Sequence, residues 1–252
     1  MSDERELLKK RFTELAKKSY NSGIFTFTDF LGLAEQSAFS EILRDISGIP
    51  YSVFGGTEGS ERVMIRFGSE EDFGYSVPFP IKAILALPSS PAFAEKLTHR
   101  DFLGTVLGLG IERRCVGDIV LRDGGAYIFV KEDIADFVAE GLTRARHTPL
   151  ITRVTDELPE GELYKTELRH VQANGERLDA LIAKLYSLSR DDAQALFSKK
   201  LVFASGKCTE STSYIPKPGE VISVRGYGRF IFRGYDSLTR KGKLNITLEV
   251  YV

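Results

Sequence analysis

The sequence predicts an α+β protein assembled from three small domains, and three observations predict it. Hydrophobic spacing switches repeatedly between helical periodicity and strict alternation along the 252 residues. Turn-forming stretches punctuate those segments, at Pro50, Gly55 to Gly59, Pro78 and Pro159-Glu160-Gly161. Charge is unevenly divided: residues 177 to 252 hold 13 Lys+Arg against 7 Asp+Glu, which leaves 21 against 28 for residues 1 to 176. The net charge of -1 therefore conceals a basic module on an acidic body. A one-sided surplus of this kind is the electrostatic mark of a polyanion partner.

Residues 1–77 form the first predicted domain, α+β in class. Leu8, Phe12 and Leu15 lie at helical spacing within residues 4–18, and a second helix is expected from Thr28-Asp29, with Phe30, Leu33 and Ala34 inward. Pro50 closes the helical part. Tyr51 to Phe54, the turn Gly55 to Gly59, and Val63, Ile65 and Phe67 alternating with Met64 and Arg66 read as a hairpin.

Residues 78–158 form the second. A strand at Ile81 to Leu87 precedes a helix capped by Thr98, with Asp101 three residues on and Phe102, Leu103, Val106 and Leu107 along it. Two strands follow, Gly117 to Leu121 and Ala126 to Val130, joined by the turn Asp123-Gly124-Gly125. A helix at Glu132 to Glu140 and a strand at Leu150 to Val154 complete a β-α-β-β-α-β order, the split βαβ arrangement of ferredoxin-like folds. RNA recognition motifs share that order, but this sheet lacks their Lys/Arg-Gly-Phe/Tyr signature. Residues 155 to about 175 read as a connector.

The third predicted domain spans 168–252 and ends in a strand extension. Leu178, Leu181, Ile182 and Leu185 make one apolar stripe, with Arg177 and Lys184 turned away from it. Ser189 with Asp192 opens a second helix, with Arg190 in its first turn, Ala193, Leu196 and Phe197 inward, and Lys199-Lys200 at its C-terminal end. Short strands are expected at Leu201 to Phe203 and Glu220 to Val224. If the latter continues, Arg225, Tyr227, Arg229 and Arg233 share one face and Phe230 and Phe232 the other, unless Gly226 and Gly228 introduce a bulge.

Composition sets the outer limits. No apolar run approaches the ~20 residues that span a bilayer, and the charged start is unlike an export signal, so the cytoplasm is the expected location and no membrane is expected as a partner. Cys115 and Cys208 are isolated from each other and from the three histidines; neither a disulfide nor a metal site is expected. No cofactor is expected either.

The series Arg177-Leu178-Asp179, Ser189-Arg190, Ala193, Gly206-Lys207 and Lys217 to Ile222 resembles the S-4 (alpha-L) RNA-binding domain. It departs from that pattern at Lys199-Lys200, where a Gly often ends the helix, and at Ala204-Ser205-Gly206, where Val-Asn-Gly is common. With Thr98 to Gly104, Gly108 to Ile111 and Val116 to Ile119 in the middle domain, the whole chain resembles the bacterial YlmH family. The resemblance implies RNA binding on the large ribosomal subunit during quality control of stalled translation. Ribosomal RNA and peptidyl-tRNA are the implied partners while the nascent chain receives an untemplated C-terminal tail, and the protein is expected to act as a monomer.

Catalytic readings are weaker. His99-Arg100-Asp101 and Asp72-Phe73-Gly74 spell kinase signatures, but in reversed order and with Val106 where the metal-binding Asn belongs. Gly104, Gly108 and Gly110 do not sit between a strand and a helix, and Gly55 to Gly59 lacks a following Gly-Lys-Ser/Thr. Arg113-Arg114 reads as a solvated pair. The main enzyme alternative is an S-4-bearing RNA-modification enzyme, a pseudouridine synthase or an rRNA methyltransferase. Glu176-Arg177-Leu178-Asp179 echoes the synthase motif, yet no large catalytic domain remains around Asp179, which reads as the partner of a nearby cation. A protein adaptor using the acidic body is a third class. The expected site is non-catalytic: Arg177, Arg190, Lys199, Lys200, Lys207, Arg225 and Arg229 on phosphates, with Tyr227 as a base stack.

Overall fold

The computed structural model describes residues 2–122, 124–158, 163–240 and 242–252. The turn residue Asp123 and the connector residues Pro159, Glu160 and Gly161 lie outside them. The chain is a mixed α/β protein that divides into two compact units, Met1–Leu163 and Tyr164–Val252.

The first unit opens with α1 (Ser2–Ser22), β1 (Thr26–Phe27), α2 (Leu33–Glu41), β2 (Tyr51–Phe54), β3 (Met64–Phe67) and the single turn α3 (Glu70–Phe73). Phe12 and Ala16 of α1 are buried against Phe39, Ile65 and Phe67 beside a three-stranded sheet ordered β1-β3-β2. The second helix begins later than Thr28-Asp29. Thr28 and Phe30 are drawn into backbone bonds with Ile65 and Arg114, and Gly32 caps α2, its amide donating to Glu35 Oε2 at 2.6 Å. Sheet-edge pairing has overridden a local capping signal there.

Then come β4 (Ile81–Pro88), α4 (His99–Gly108), β5 (Val116–Arg122), β6 (Gly125–Lys131), α5 (Ala135–Gly141), β7 (Arg144–Ala145) and β8 (Thr148–Thr155). The sheet order β5-β6-β4-β8-β7 is antiparallel throughout. Its helix-facing side buries Ile84, Ile128 and Val130 against Phe102, Val106 and Val138. Asp101 opens α4 as its spacing predicts, accepting from the Thr98 amide at 2.8 Å and the Thr98 hydroxyl at 2.7 Å.

One arginine ties the two sheets of this unit together. Arg62 donates from Nε to the Val116 carbonyl (3.0 Å) and from Nη2 to the carbonyls of Phe30 (3.0 Å) and Arg113 (3.2 Å). Asp118 meanwhile accepts from the amides of Glu61 (2.6 Å) and Arg62 (3.0 Å). Gly56, at φ 101°, lies where a Cβ would fall 2.3 Å from the Phe129 ring, so only glycine fits. The solvated-pair reading of Arg113-Arg114 is corrected: Arg114 is exposed and pairs with Glu112 at 2.9 Å, whereas Arg113 is half-buried and donates to the Gly117 carbonyl at 3.2 Å. Burial, reinforced by neighbouring Arg62, pushes the Arg113 pKa down to about 10.

The second unit comprises β9 (Thr166–Ala173), α6 (Leu178–Leu185), α7 (Arg190–Ser198), β10 (Val202–Ala204), β11 (Lys207–Cys208), β12 (Val221–Val224), β13 (Gly228–Leu238) and β14 (Leu244–Tyr251). Two sequence expectations are corrected. Residues 166–173 are a full strand, antiparallel to β14 from Tyr251↔Thr166 to Leu244↔Ala173. The strand at Val221 ends at Val224 in a tight turn, and the bulges fall later, between Phe232 and Gly234 and between Tyr235 and Ser237. Gly226 at φ 86° and Gly228 at φ 128° supply the turn rather than a bulge. The helix ends behave as read. The Ser189 hydroxyl accepts from the Asp192 amide at 3.1 Å, and α7 closes with Lys200 at φ 57° while the Leu201 amide reaches the Leu196 carbonyl at 2.9 Å.

The six-stranded sheet, ordered β11-β10-β12-β13-β14-β9, has two unlike faces. Ala204, Ile222, Phe230 and Val250 are paired in one row and packed with Leu181, Ile182, Ala193 and Phe197 of the helices. The neighbouring row, Phe203, Ser223, Arg229 and Tyr251, points the other way, because successive strand residues alternate.

Candidate nucleic-acid interface

The helix layer carries a concavity in the second unit. It is an open basin of about 750 Å³ running along α6, closed on one side by the end of β9 and the start of β14. Arg177 and Lys184 of the α6 segment, Arg190 at the start of α7 and Lys243 before β14 line it. Four cations thus meet from three separate stretches of chain. Among the described residues, the only carboxylate lining it is Asp179.

That carboxylate is already engaged. Arg177 Nε donates to Asp179 Oδ1 at 3.1 Å and Nη2 to Oδ2 at 2.8 Å, a two-pronged ion pair. The Ala180 amide (2.9 Å) and Gln194 Nε2 from α7 (3.2 Å) complete its shell. The Asp179 side chain is only 4% exposed, while Arg177 keeps 44% of its own in solvent. Burial alone would raise the Asp179 pKa; the bonds from Arg177, Gln194 and Ala180 outweigh it and hold the carboxyl below its ordinary range. The hydrogen bond to Asp179 in turn raises the Arg177 pKa. Asp179 therefore fixes one edge of the guanidinium and leaves the rest facing the basin.

Of the eight site residues expected from sequence, the structure brings Arg177 and Arg190 together here. The others lie elsewhere on the unit. Lys199 and Lys200 close α7, with Lys200 Nζ 3.1 Å from Glu210. Lys207 is on edge strand β11, after a turn in which Ser205 and Gly206 both take positive φ, 47° and 77°. Arg225 is in the β12–β13 turn, its guanidinium 5.3 Å from the Phe203 ring centroid. Tyr227, 45% exposed, shares that turn and lies 5.3 Å from the Tyr186 ring. Arg229 is on the sheet face opposite the helices, between Tyr164 (4.3 Å) and Tyr251 (4.0 Å). The expectation that Arg225, Tyr227, Arg229 and Arg233 share one strand face is corrected by the turn at 225–227, which breaks the alternation.

Two basin residues escape local reading. Gln172 and Lys243 come together only because β9 pairs with β14, and β9 is largely polar, with one residue, Ala173, fully buried. Its place is set by its pairing with β14, whose Leu244, Ile246, Leu248 and Val250 alternate with polar residues and which lies between β13 and β9.

Taken together, these features describe a mixed α/β protein with a cation-lined basin beside a two-helix elbow. A family model described as a putative RNA-binding domain in YlmH matches residues 82–154. The ribosome-associated protein quality control protein P2 of Bacillus subtilis (strain 168) is 30% identical over 230 residues, covering 88% of this chain and 86% of that relative. The chain belongs to the YlmH family. A solved structure of the cell division protein ylmH from Streptococcus pneumoniae is 24% identical, with a TM-score of 0.48, covering 62% of this chain and 93% of that one. Among the described residues no helix is long and apolar enough to cross a membrane, and no group of three or more His, Cys, Asp or Glu could hold a metal ion.

Proposed function

We propose that this protein binds folded RNA on the large ribosomal subunit as a non-catalytic factor in the quality control of stalled translation. In this reading it contacts ribosomal RNA and peptidyl-tRNA while the nascent chain receives its C-terminal tail, and it acts as a monomer. Its parts are an N-terminal α+β domain (1–77), an RRM-like domain (78–158) and an S-4 domain (168–252). The basin is the observation that carries RNA binding: four cations converge on a concave wall where the Asp179 carboxylate is already neutralised. Such a surface attracts phosphates and positions a folded polyanion without reading its sequence. The ribosomal setting is supported by family membership and by the name of the Bacillus subtilis relative. The description of the matched domain supports a second RNA contact within residues 82–154.

The pseudouridine-synthase form of the RNA-modification alternative needs Asp179 as a free catalytic group. Three donors and near-complete burial speak against that role. Sucrose-gradient sedimentation of cell extract tests the proposal. The wild-type protein should migrate with large subunits and be released by a high-salt wash, whereas Arg177→Ala with Arg190→Ala should remain at the top of the gradient. A folded double variant that still co-sediments, or turnover of RNA by the purified protein, would overturn it.

A further inference from the structure

Phosphate contact alone needs only a convex basic surface, and the basin is more than that. Its volume of about 750 Å³ falls within the ~300–1,000 Å³ typical of small-molecule pockets. Its wall is also chemically divided. The cations Arg177, Arg190 and Lys243 are joined by an apolar lining of small or short side chains, Ala173, Ala180, Ala183 and Leu188. A lining of three alanines leaves open the space that larger residues would fill. Gln172 and Asn174 add neutral amide groups, each with donors and an acceptor, at the β9 end.

We propose that the basin is a nucleotide pocket, taking one unstacked nucleotide unit with its phosphate against Arg177, Arg190 and Lys243 and its base on the alanine-lined wall. This rests on the RNA-binding reading and deepens it: the protein recognises a folded RNA by a residue that has left the helix, not by backbone shape alone. An already unpaired base pays the least to leave the stack, so a bulged nucleotide is the natural occupant. Gln172 and Asn174 are positioned to meet base edges, which assigns a reading role to a strand end rather than to the helical elbow. Asp179, itself held by Gln194, then has a purpose beyond stability, since it fixes the orientation of the Arg177 guanidinium in the pocket wall.

The test uses the full chain and three probes: a labelled RNA hairpin with one bulged adenosine, the same hairpin fully paired, and adenosine 5′-monophosphate. The bulged hairpin should bind about tenfold more tightly than the paired one, because only it offers a base at little unstacking cost. Ala183→Leu, which fills the apolar wall, should bring the bulged hairpin down to the paired one. Lys243→Ala, a second variant guarding against a misfolded Ala183→Leu, should weaken the bulged hairpin more than the paired. Displacement of the bulged hairpin by micromolar adenosine 5′-monophosphate would keep the pocket and assign it to a free nucleotide. Equal affinity for both hairpins, each weakened by Arg177→Ala with Arg190→Ala, would overturn the pocket while leaving RNA binding intact. Indifference of both hairpins to that double variant would overturn the underlying reading as well.

Discussion

Arg62 in the first unit and Arg177 in the second are both held by several hydrogen bonds, yet they do opposite things. Arg62 spends its donors on three carbonyls of its own chain, and burial lowers its pKa. Arg177 is gripped along one edge by a buried carboxylate and keeps 44% of its side chain in solvent. An arginine that terminates on inward carbonyls is a fastener. One that terminates on a single carboxylate is a positioned charge, because the pair is fixed and the remaining N–H groups stay available.

Four measurements put that contrast at risk. Arg62→Ala should have the largest effect on folding: three carbonyls lose their donor, for about 3 kcal/mol at roughly 1 kcal/mol each. Urea denaturation would show it, and a loss under about 0.5 kcal/mol, the range of ordinary surface changes, would mean the sheets of that unit are joined by something else. RNA affinity of the folded variant should stay near wild type.

For Arg177→Ala with Arg190→Ala the larger effect is expected on binding, and loss of the buried Asp179 ion pair should cost stability as well. RNA affinity should drop about 10- to 100-fold, and the slope of log affinity against log salt should flatten by about 2, one for each phosphate the two arginines neutralise. A fluorescence titration at several salt concentrations measures both.

Asp179→Asn should cost about 1–2 kcal/mol by weakening charge-assisted bonds. Because the folded carboxyl has its pKa depressed, its contribution is present above about pH 4, the ordinary Asp range, and is lost as pH falls through the lower folded value. The stability difference between wild type and variant, read from denaturation curves, should therefore shrink progressively as the pH falls below about 4. A difference that stays constant there would mean the carboxylate is not its source.

Arg229→Ala should matter least. Its guanidinium packs between Tyr164 and Tyr251, an arrangement worth about 0.5–1 kcal/mol, and RNA affinity should change less than twofold. A loss matching that of the basin double variant would move the interface to the open sheet face.

The second unit shows why some of this was readable and some was not. The Leu178, Leu181, Ile182 and Leu185 stripe and the Ser189 cap both act within a few residues, and each helix formed where its spacing placed it. Thr28-Asp29 misled because its capping signal competed with pairing to β3 and lost. Arg229 shows the same limit from the binding side. Its charge was visible in the sequence, but its use depends on Tyr164 and Tyr251, which arrive from either end of the unit.

The mixed α/β class, the β-α-β-β-α-β order of residues 81–155 apart from the short added strand β7, the two C-terminal helices and the concentration of cations after residue 176 were all written in the order of the amino acids. These follow from periodicity, caps and charge, which need only near neighbours. Which cations face one another was settled by the three-dimensional arrangement instead. The β9–β14 pairing brings Gln172 and Lys243 to Arg177 and Arg190, the turn at 225–227 sends Arg229 to the far face, and Asp179 aims Arg177. Those outcomes depend on strand register between distant segments, and a one-residue change of register would turn every side chain to the opposite face.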